Sequence, residues 1–254
     1  MIITITNQKG GTGKTTTAAA MLAGLSKRGY RVLGIDLDPQ TNLTYAVKAK
    51  LTVPSILGVM MNETPIAAAI QETPEHGSCI AGSRDLASID LILNGKPGNE
   101  SRLKEQLVTI ERQYDYVIID TPPVLGVLTI NAMTASNRVI IPVQASMYDI
   151  QGIAQLAQTI ELVQKYTNPD LTVEGILLTR YNPRLTLSRF LLDSLHEIAP
   201  GLHSRVFAKT IRDSVGIREA SMEQQSMFTY APKSPGVMDY DAFLDEFLQE
   251  EVAV

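Results

Sequence analysis

Short apolar runs alternate with longer segments of helical periodicity along most of the chain. The runs are nearly continuous in Val, Ile and Leu, as expected for strands of a parallel sheet that is covered on both faces. They predict strands at residues 2–6, 31–36, 89–93, 116–120, 138–143 and 173–179. Apolar positions three and four residues apart predict helices at residues 14–28, 99–112, 127–135, 150–166, 186–198 and 237–250.

This alternation predicts a single α/β domain over residues 1–254, with a doubly wound, mostly parallel sheet and helices on both faces. The Gly- and Pro-containing breaks at residues 94–99 and 231–236 are typical of loops rather than of linkers between domains. Residues 50–86 are the least regular part of the chain, where we expect short helices around Pro54 and Pro65.

Composition narrows the class of protein. Apolar residues make up 44% of the 254 residues, which is ordinary for a globular protein with a core. The single cysteine, Cys79, excludes an internal disulfide framework and a CxxC cluster site. The sequence has neither the pattern of a signal peptide nor the apolar run of about 20 residues that crosses a bilayer. We therefore expect a cytoplasmic protein with no membrane partner.

Charge is distributed unevenly. The net charge of −5 argues against general nucleic-acid binding. However, the segment from Arg180 to Arg218 contains seven basic residues and three acids, whereas residues 239–254 contain six acids and no Lys or Arg. A local basic face is therefore compatible with this sequence.

The segment NQKGGTGKTTT (residues 7–17) joins the first predicted strand to the first helix. Its glycines allow several backbone N–H groups to converge on an anion at the positive end of that helix. In the phosphate-loop pattern GxxxxGK[ST], Lys14 lies against the β- and γ-phosphates and Thr15 ligates Mg²⁺. Two features depart from the pattern: Gln8 replaces its first glycine, and Lys9 adds a second lysine. A solvated loop residue and an extra contact to the same nucleotide both remain open for Lys9.

Carboxylates follow two other predicted strands. In IDLDPQTN (residues 35–42), Asp36 and Asp38 are two residues apart and can face the same site. In YDYVIIDTPP (residues 114–123), Asp120 ends an apolar strand, an arrangement that holds Mg²⁺ in nucleotide-hydrolysing proteins. Carboxylates beside a triphosphate repel it unless a metal ion or an attacking water lies between them.

Taken together, these motifs resemble the ParA/MinD superfamily of deviant Walker-A ATPases, through KGGTGKT, DLDPQTN and DTPPVLGVLTINAM. NRVIIPVQASMYDIQGIAQLAQTIELVQ, GILLTRYNPR and YAPKSPGVMDYDAFLDEF resemble the Soj-like partitioning branch. The resemblance covers nearly the whole chain and is weakest at residues 45–100.

The resemblance implies a homodimer that sandwiches two ATP molecules with Mg²⁺. It assigns Lys9 to the partner's phosphates, Asp38 to the hydrolytic water and Asp36 to the Mg²⁺ shell. The predicted catalytic residues are then Lys9, Lys14 and Asp38, and the predicted metal-site residues are Thr15, Asp36 and Asp120. The predicted nucleotide contacts are Lys9, Gly10, Gly11, Thr12, Gly13, Lys14, Thr15 and Thr16, with Arg180 and Asp213 seating adenine by a weaker resemblance.

The same resemblance implies slow ATP hydrolysis, stimulated by a ParB-like centromere-binding protein, and double-stranded DNA binding without sequence preference. Such a protein is nucleoid-associated and segregates a plasmid, a chromosome or a mobile element. The stretch TIRDSVGIREAS departs from the family, because an Asp and a Gly stand where basic residues are common. We therefore predict the DNA-binding patch from arginines nearby, namely Arg184, Arg189, Arg212 and Arg218.

Other functions of the same scaffold fit less well. A MinD-like membrane-cycling ATPase ends in a basic amphipathic helix, whereas this chain ends in the acidic DAFLDEFLQEEVAV. An iron–sulfur carrier needs bridging cysteines, a ligase-type synthetase needs a substrate pocket, and a capsule-regulating kinase carries a tyrosine-rich tail. Because the first strand opens the chain, we also expect no N-terminal winged-helix extension and no self-repression at an operator.

Overall fold

The computed structural model describes residues 1–51, 54–144 and 147–252. Within them, seven strands form one sheet: β1 Ile2–Ile5, β2 Val32–Asp36, β3 Ile70–Glu72, β4 Ser78–Ile80, β5 Tyr116–Asp120, β6 Arg138–Gln144 and β7 Thr172–Thr179. The strand order is β3-β4-β2-β5-β1-β6-β7. Every neighbouring pair is parallel except β3 with β4. The carboxyl ends of β2, β5, β1, β6 and β7 therefore meet at one edge of the sheet.

Helices cover both faces of this sheet. Those described are α1 Lys14–Lys27, α2 Asn42–Ala46, α3 Ile56–Met60, α4 Ile66–Ala69, α5 Ile89–Leu93, α6 Arg102–Leu107, α7 Val127–Ala135, α8 Met147–Tyr166, α9 Thr186–Ile198, α10 Val215–Met222, α11 Met227–Tyr230 and α12 Pro235–Val252. Short 3-10 turns lie at Arg84–Ser88, Glu111–Gln113 and Ala199–Leu202. No helix in the described ranges combines the length and hydropathy needed to cross a bilayer.

The core is split by the sheet, because alternate residues of each strand point to opposite faces. Ile3 and Ile5 of β1 join a cluster formed with α1 and α12, whereas Ile2 joins a cluster formed with α5, α6 and α7. A third cluster packs β6 and β7 against α8 and α9. Both faces of the central strands are thus buried, which explains their continuous apolar runs. The predicted doubly wound α/β fold is confirmed.

One strand prediction is wrong. Residues 89–93 form α5 rather than a strand. Ile89 and Leu93, four residues apart, are buried, whereas Leu91 between them is 84% exposed. A five-residue apolar run does not distinguish a strand from a short buried helix. The buried spacing of four residues shows that the helical period prevails here.

The other elements agree with the sequence to different degrees. The remaining five predicted strands are confirmed, and short helices follow both prolines in the irregular segment, as α3 and α4. The helix predicted at residues 99–112 is shorter, because α6 ends at Leu107 and a 3-10 turn follows. Sequence analysis missed β3 and β4, which have three residues each, and the short helices α2, α10 and α11.

Candidate functional site

The loop between β1 and α1 lies at the carboxyl edge of the sheet. Two of its glycines adopt the left-handed backbone conformation, with φ of 79° at Gly11 and 91° at Gly13, which residues with a Cβ rarely adopt. Gly13 is also the residue before α1, and its carbonyl accepts the first helical hydrogen bond from the N–H of Thr17 at 2.8 Å. The first N–H groups of a helix lack partners within the helix, so this end of α1 favours an anion.

Lys14 is the first residue of α1, and its side chain turns back into the loop. Its Nζ donates a hydrogen bond to the carbonyl of Lys9 at 2.9 Å, and the residue is 7% exposed. Burial lowers the pKa of Lys14, while the negative charges of Asp120 and Asp38 oppose that shift. An anion in the loop would replace the solvation that this ammonium group lacks.

Two residues that the sequence analysis missed hold the loop in place. Asn7 is fully buried; its Oδ1 accepts from the N–H of Lys9 at 3.0 Å and its Nδ2 donates to the carbonyl of Pro142 at 2.7 Å. Thr179, the last residue of β7, donates to the carbonyl of Thr12 at 2.8 Å. A polar residue directly before the glycine-rich turn was the available signal for Asn7, whereas no local signal pointed to Thr179.

Thr15 and Asp120 meet directly beneath the loop. The Thr15 hydroxyl donates to Oδ2 of Asp120 at 2.7 Å, and Oδ1 of Asp120 has no hydrogen-bond partner among the described residues. Burial raises the pKa of Asp120 well above its usual range, with a further contribution from Asp36. A buried, unpaired carboxylate oxygen beside a hydroxyl is a donor set that suits Mg²⁺, which prefers oxygen ligands.

These two residues alone do not make a closed metal site. Within the described residues, no three His, Cys, Asp or Glu side chains are grouped so that they could hold a metal ion. Mg²⁺ commonly binds through one or two carboxylates and completes its shell with water and substrate phosphates. The residues present therefore fit a Mg²⁺ ion that arrives with a phosphate ligand.

Asp36 and Asp38 lie at the end of β2, on the same side as Asp120. Asp38 is 7% exposed and its Oδ1 accepts from the N–H of Gln40 at 2.9 Å. Asp36 is completely buried, and burial is the main reason why its pKa rises to about 6. Both oxygens of Asp36 accept hydrogen bonds from within the chain. Of the two oxygens of Asp120, only Oδ2 accepts one from a described residue.

A cavity of about 370 Å³ brings most of the predicted site residues together. Its walls include Gly10, Gly11, Gly13, Lys14, Thr15, Thr16, Asp38, Arg180 and three residues not assigned from the sequence, Gln40, Asn42 and Pro123. Thr12 is buried, and Lys9 is half-buried at the start of the loop. All the predicted contacts of the loop except Lys9 and Thr12 thus line one cavity.

A smaller cavity of about 70 Å³ adjoins the first and shares Gly13, Thr16 and Arg180 with it. Asp213 lines it, together with apolar surface from Ile211 and Ile217. Arg212 and Arg218, which were predicted to bind DNA, also line this cavity. The two residues predicted to seat adenine therefore lie side by side, next to the phosphate loop.

The four predicted DNA-binding arginines lie in two groups. Arg184 and Arg189 are exposed in the segment that runs from β7 into α9. Arg212 pairs with Asp239 at 2.7 Å, and Arg218 pairs with Asp213 at 2.6 Å. These ion pairs partly neutralise Arg212 and Arg218. Arg184 and Arg189 are therefore the better candidates for contacts with the phosphates of DNA.

Comparisons with known proteins agree with this site. The model of a family described as an AAA domain matches residues 1–173. The sporulation initiation inhibitor protein Soj of Bacillus subtilis is 38% identical over 99% of this chain and 98% of its own length. The chromosome partitioning protein ParA of Myxococcus xanthus is 34% identical over 98% of this chain and 88% of its own length.

A solved structure is similar over the same range. The cobyrinic acid a,c-diamide synthase of Mycobacterium smegmatis, with bound ADP and magnesium, superposes with a TM-score of 0.84 and 36% sequence identity. The match covers 98% of this chain and 94% of the other. The chain therefore belongs to the AAA-domain family and, within it, to the Soj-like branch of the ParA/MinD superfamily.

Proposed function

We propose that this protein is a ParA-type DNA-partitioning ATPase that hydrolyses ATP to ADP and phosphate. The observation that carries the proposal is the cavity of about 370 Å³ at the carboxyl edge of the sheet. Lys14, Thr15 and Asp38 line it, and Asp120 lies beneath it in contact with Thr15. The curated relatives named for Soj and ParA, matched over nearly their whole length, support the same function.

In this proposal the nucleotide spans both cavities. The phosphates lie in the larger one, against Lys14 and the N–H groups from Gly10 to Thr16, and adenine lies in the smaller one between Arg180 and Asp213. The Thr15 hydroxyl and the unpaired oxygen of Asp120 hold the Mg²⁺ ion, which neutralises the charge on the phosphates. Asp38, which lines the same cavity, orients the attacking water.

ATP also controls assembly in this proposal. Lys9 reaches the phosphates of a second subunit, so that a homodimer forms only when both sites hold ATP. Each subunit brings a basic patch, and two linked patches bind DNA far more tightly than one, because the second contact is intramolecular. Hydrolysis, stimulated by a ParB-like partner, then separates the subunits and releases the cytoplasmic protein from the nucleoid.

The decisive experiment is binding to random-sequence double-stranded DNA across a salt series. We expect tight binding with a non-hydrolysable ATP analogue and Mg²⁺, weak binding with ADP, and a steep loss of affinity as salt rises. Arg184→Ala and Arg189→Ala should each lower the salt slope by about 1 per subunit, which is about 2 for the dimer. Arg112→Ala, an exposed arginine far from the site, is the matched control. Equal binding with ATP analogue and ADP would refute the proposal.

The alternative of a MinD-like membrane-cycling ATPase is disfavoured by α12. Its apolar residues Tyr240, Phe243, Leu244 and Phe247 are buried in the core with α1. A membrane-binding helix must expose such a face to lipid. Nucleotide-dependent sedimentation with anionic liposomes, in the absence of DNA, would support the alternative.

The similarity to the M. smegmatis protein supplies a second candidate, an ATP-dependent amide synthase. The test is ATP hydrolysis in the presence of cobyrinic acid with an ammonia donor, compared with DNA. Stimulation by cobyrinic acid alone would favour the synthase, and stimulation by DNA with a ParB-like protein would favour partitioning.

A further inference from the structure

The carboxylate of Asp36 sits where three segments of the chain meet. Its Oδ1 accepts from the N–H of Asp38 at 3.1 Å. Its Oδ2 accepts from both the N–H and the hydroxyl of Thr44, at 2.8 and 2.6 Å. An ionised carboxylate only accepts hydrogen bonds, and these three donors give both oxygens of the buried Asp36 carboxylate a partner.

Thr44 extends this contact to a third segment. While its hydroxyl donates to Asp36, the same oxygen accepts from the N–H of Gly82, which follows β4, at 2.8 Å. A Cβ on Gly82 would lie 3.1 Å from the carboxyl carbon of Asp36, which is tighter than nearly all real Cβ contacts. A side chain at residue 82 would therefore crowd this carboxylate and require the backbone after β4 or Asp36 to shift.

The segment between Asp36 and Thr44 is thereby held at both ends on one carboxylate. It carries Asp38, Gln40 and Asn42, which line the phosphate cavity. Within the segment, the carbonyl of Asp38 accepts from the N–H of Thr41 at 2.9 Å. The position of Asp38 relative to the phosphates thus depends on the anchor beneath it.

Asp120 differs from Asp36 in the property that matters for a metal ion. Oδ1 of Asp120 has no partner in the described residues, and Thr15 occupies only Oδ2. To ligate a metal ion, Asp36 would have to use the one remaining lone-pair site of Oδ1, an oxygen that already accepts from Asp38, whereas no described residue bonds Oδ1 of Asp120. The two carboxylates therefore suit different tasks, although they are paired in register across β2 and β5.

We propose that Asp36 and Thr44 are positioning residues that hold Asp38 in place for hydrolysis, and that neither contributes to the Mg²⁺ shell. This inference rests on the proposed ATPase function and revises the part that family resemblance assigns to Asp36. Thr44 has no assigned part in the motif comparison. The anchor acts on the rate of hydrolysis through Asp38 rather than on nucleotide or metal affinity.

The test compares Thr44→Val, which removes only the hydroxyl, with Thr44→Ser, which retains it. For the full-length protein with ATP, we expect Thr44→Val to lower kcat about 10- to 100-fold, because a misplaced catalytic group loses rate on that order. The Kd for a non-hydrolysable ATP analogue and the half-saturating Mg²⁺ concentration should stay within about threefold. Thr44→Ser should restore kcat, and Thr109→Val, at an exposed threonine, should match the wild type.

Asp36→Asn separates positioning from metal binding. We expect it to lower kcat with an unchanged half-saturating Mg²⁺ concentration. A tenfold rise in that concentration, with a normal Thr44→Val, would overturn the inference. If Thr44→Val alters the melting temperature strongly, Gly82→Ala, which crowds the same carboxylate, provides the second variant.

Hydrogen exchange keeps the inference distinct from the proposed function. If the wild-type protein does not hydrolyse ATP, the proposed function fails, but the anchor still predicts a measurable effect. Amides of Asp38, Gln40 and Thr44 should exchange at least about tenfold faster in Thr44→Val than in Thr44→Ser. Equal exchange in the two variants would overturn the anchor itself.

Discussion

Residues of the glycine-rich loop show how burial creates the chemistry of this site. Lys14 is nearly inaccessible, and its ammonium group donates a hydrogen bond to the carbonyl of Lys9. The negative charges of Asp120 and Asp38 offset part of the cost of burying the ammonium group, whose pKa is nevertheless lowered by burial. The buried charge of Lys14 therefore favours an anion in the loop, whereas a lysine solvated at the surface would not need one.

We expect Lys14→Ala to abolish ATP binding, because the variant loses the positive charge at the proposed phosphate site, next to the amino end of α1. Calorimetric titration with an ATP analogue and Mg²⁺ measures the affinity. Lys96→Ala, at an exposed position, serves as the control of equal charge change. Unchanged affinity in Lys14→Ala would remove the residue from the nucleotide site.

His76 makes stability depend on pH. The residue is 3% exposed, and burial lowers its pKa to about 4, with a smaller opposing effect of Glu75. Between pH 4 and 6.5 the unfolded chain therefore binds more protons at His76 than the folded protein does, so its contribution to stability falls with falling pH. At pH 5 the loss amounts to roughly 2 kcal/mol relative to neutral pH.

Urea unfolding of the wild type and of His76→Gln at pH 7.5 and pH 5 measures this effect. The wild type should lose roughly 2 kcal/mol more than the variant does. Groups such as Asp36, whose pKa is raised, act in the opposite direction but contribute equally to both proteins. The same pH dependence in wild type and variant would show that His76 is not the cause.

At the scale of elements, the segment that follows the nucleotide site is tied to the neighbouring helices. Asp90 of α5 accepts from the N–H of Val127 at 3.0 Å, so a carboxylate caps the amino end of α7. Asn131 of α7 receives the N–H of Leu103 at 3.2 Å and donates to the carbonyl of Asn99 at 2.7 Å. The motif LTINAM therefore contains a structural amide, which joins α7 to the start of α6.

Asn131→Ala should lower the free energy of unfolding by about 2–4 kcal/mol, because it leaves buried backbone groups without partners. Urea unfolding gives the value, and nucleotide affinity should remain close to that of the wild type. Gln106→Ala removes a hydrogen bond that is exposed on α6 and should change stability by less than about 0.5 kcal/mol. A similar small effect of both variants would contradict the structural role of Asn131.

At the scale of the whole molecule, the last helix, α12, completes the core on one face of the sheet. Tyr240, Phe243 and Phe247 of α12 complete the core above α1, and the hydroxyls of Thr17 and Tyr240 lie 3.0 Å apart within it. Two acidic residues of α12, Asp241 and Asp245, form ion pairs with Arg28. The described part of α12 is thus packed into the domain, and its Tyr240 also lines the smaller cavity beside the phosphate loop.

Lys9→Ala tests assembly of the whole protein. We expect the variant to bind one ATP per subunit but to remain monomeric, because in the proposed dimer this lysine would contact the phosphates of the second subunit. Light scattering with a non-hydrolysable ATP analogue measures the mass, and Lys96→Ala is again the control. A persistent dimer of the Lys9→Ala protein would show that the interface does not require this lysine.

Local patterns in the sequence were sufficient for the fold class, the phosphate loop and the strand-end carboxylates. A parallel sheet buried on both faces leaves continuous apolar runs, and the turn before α1 needs residues without a Cβ, so both signals are contiguous.

The tertiary structure decided what depends on distant contacts. Residues 89–93 form a helix because Ile89 and Leu93 pack in the same core cluster. Arg212 forms an ion pair with Asp239 of α12. The pairing of Thr179 with the loop, and of Asp36 with Thr44 and Gly82, joins residues far apart in the chain, and no local pattern records such contacts.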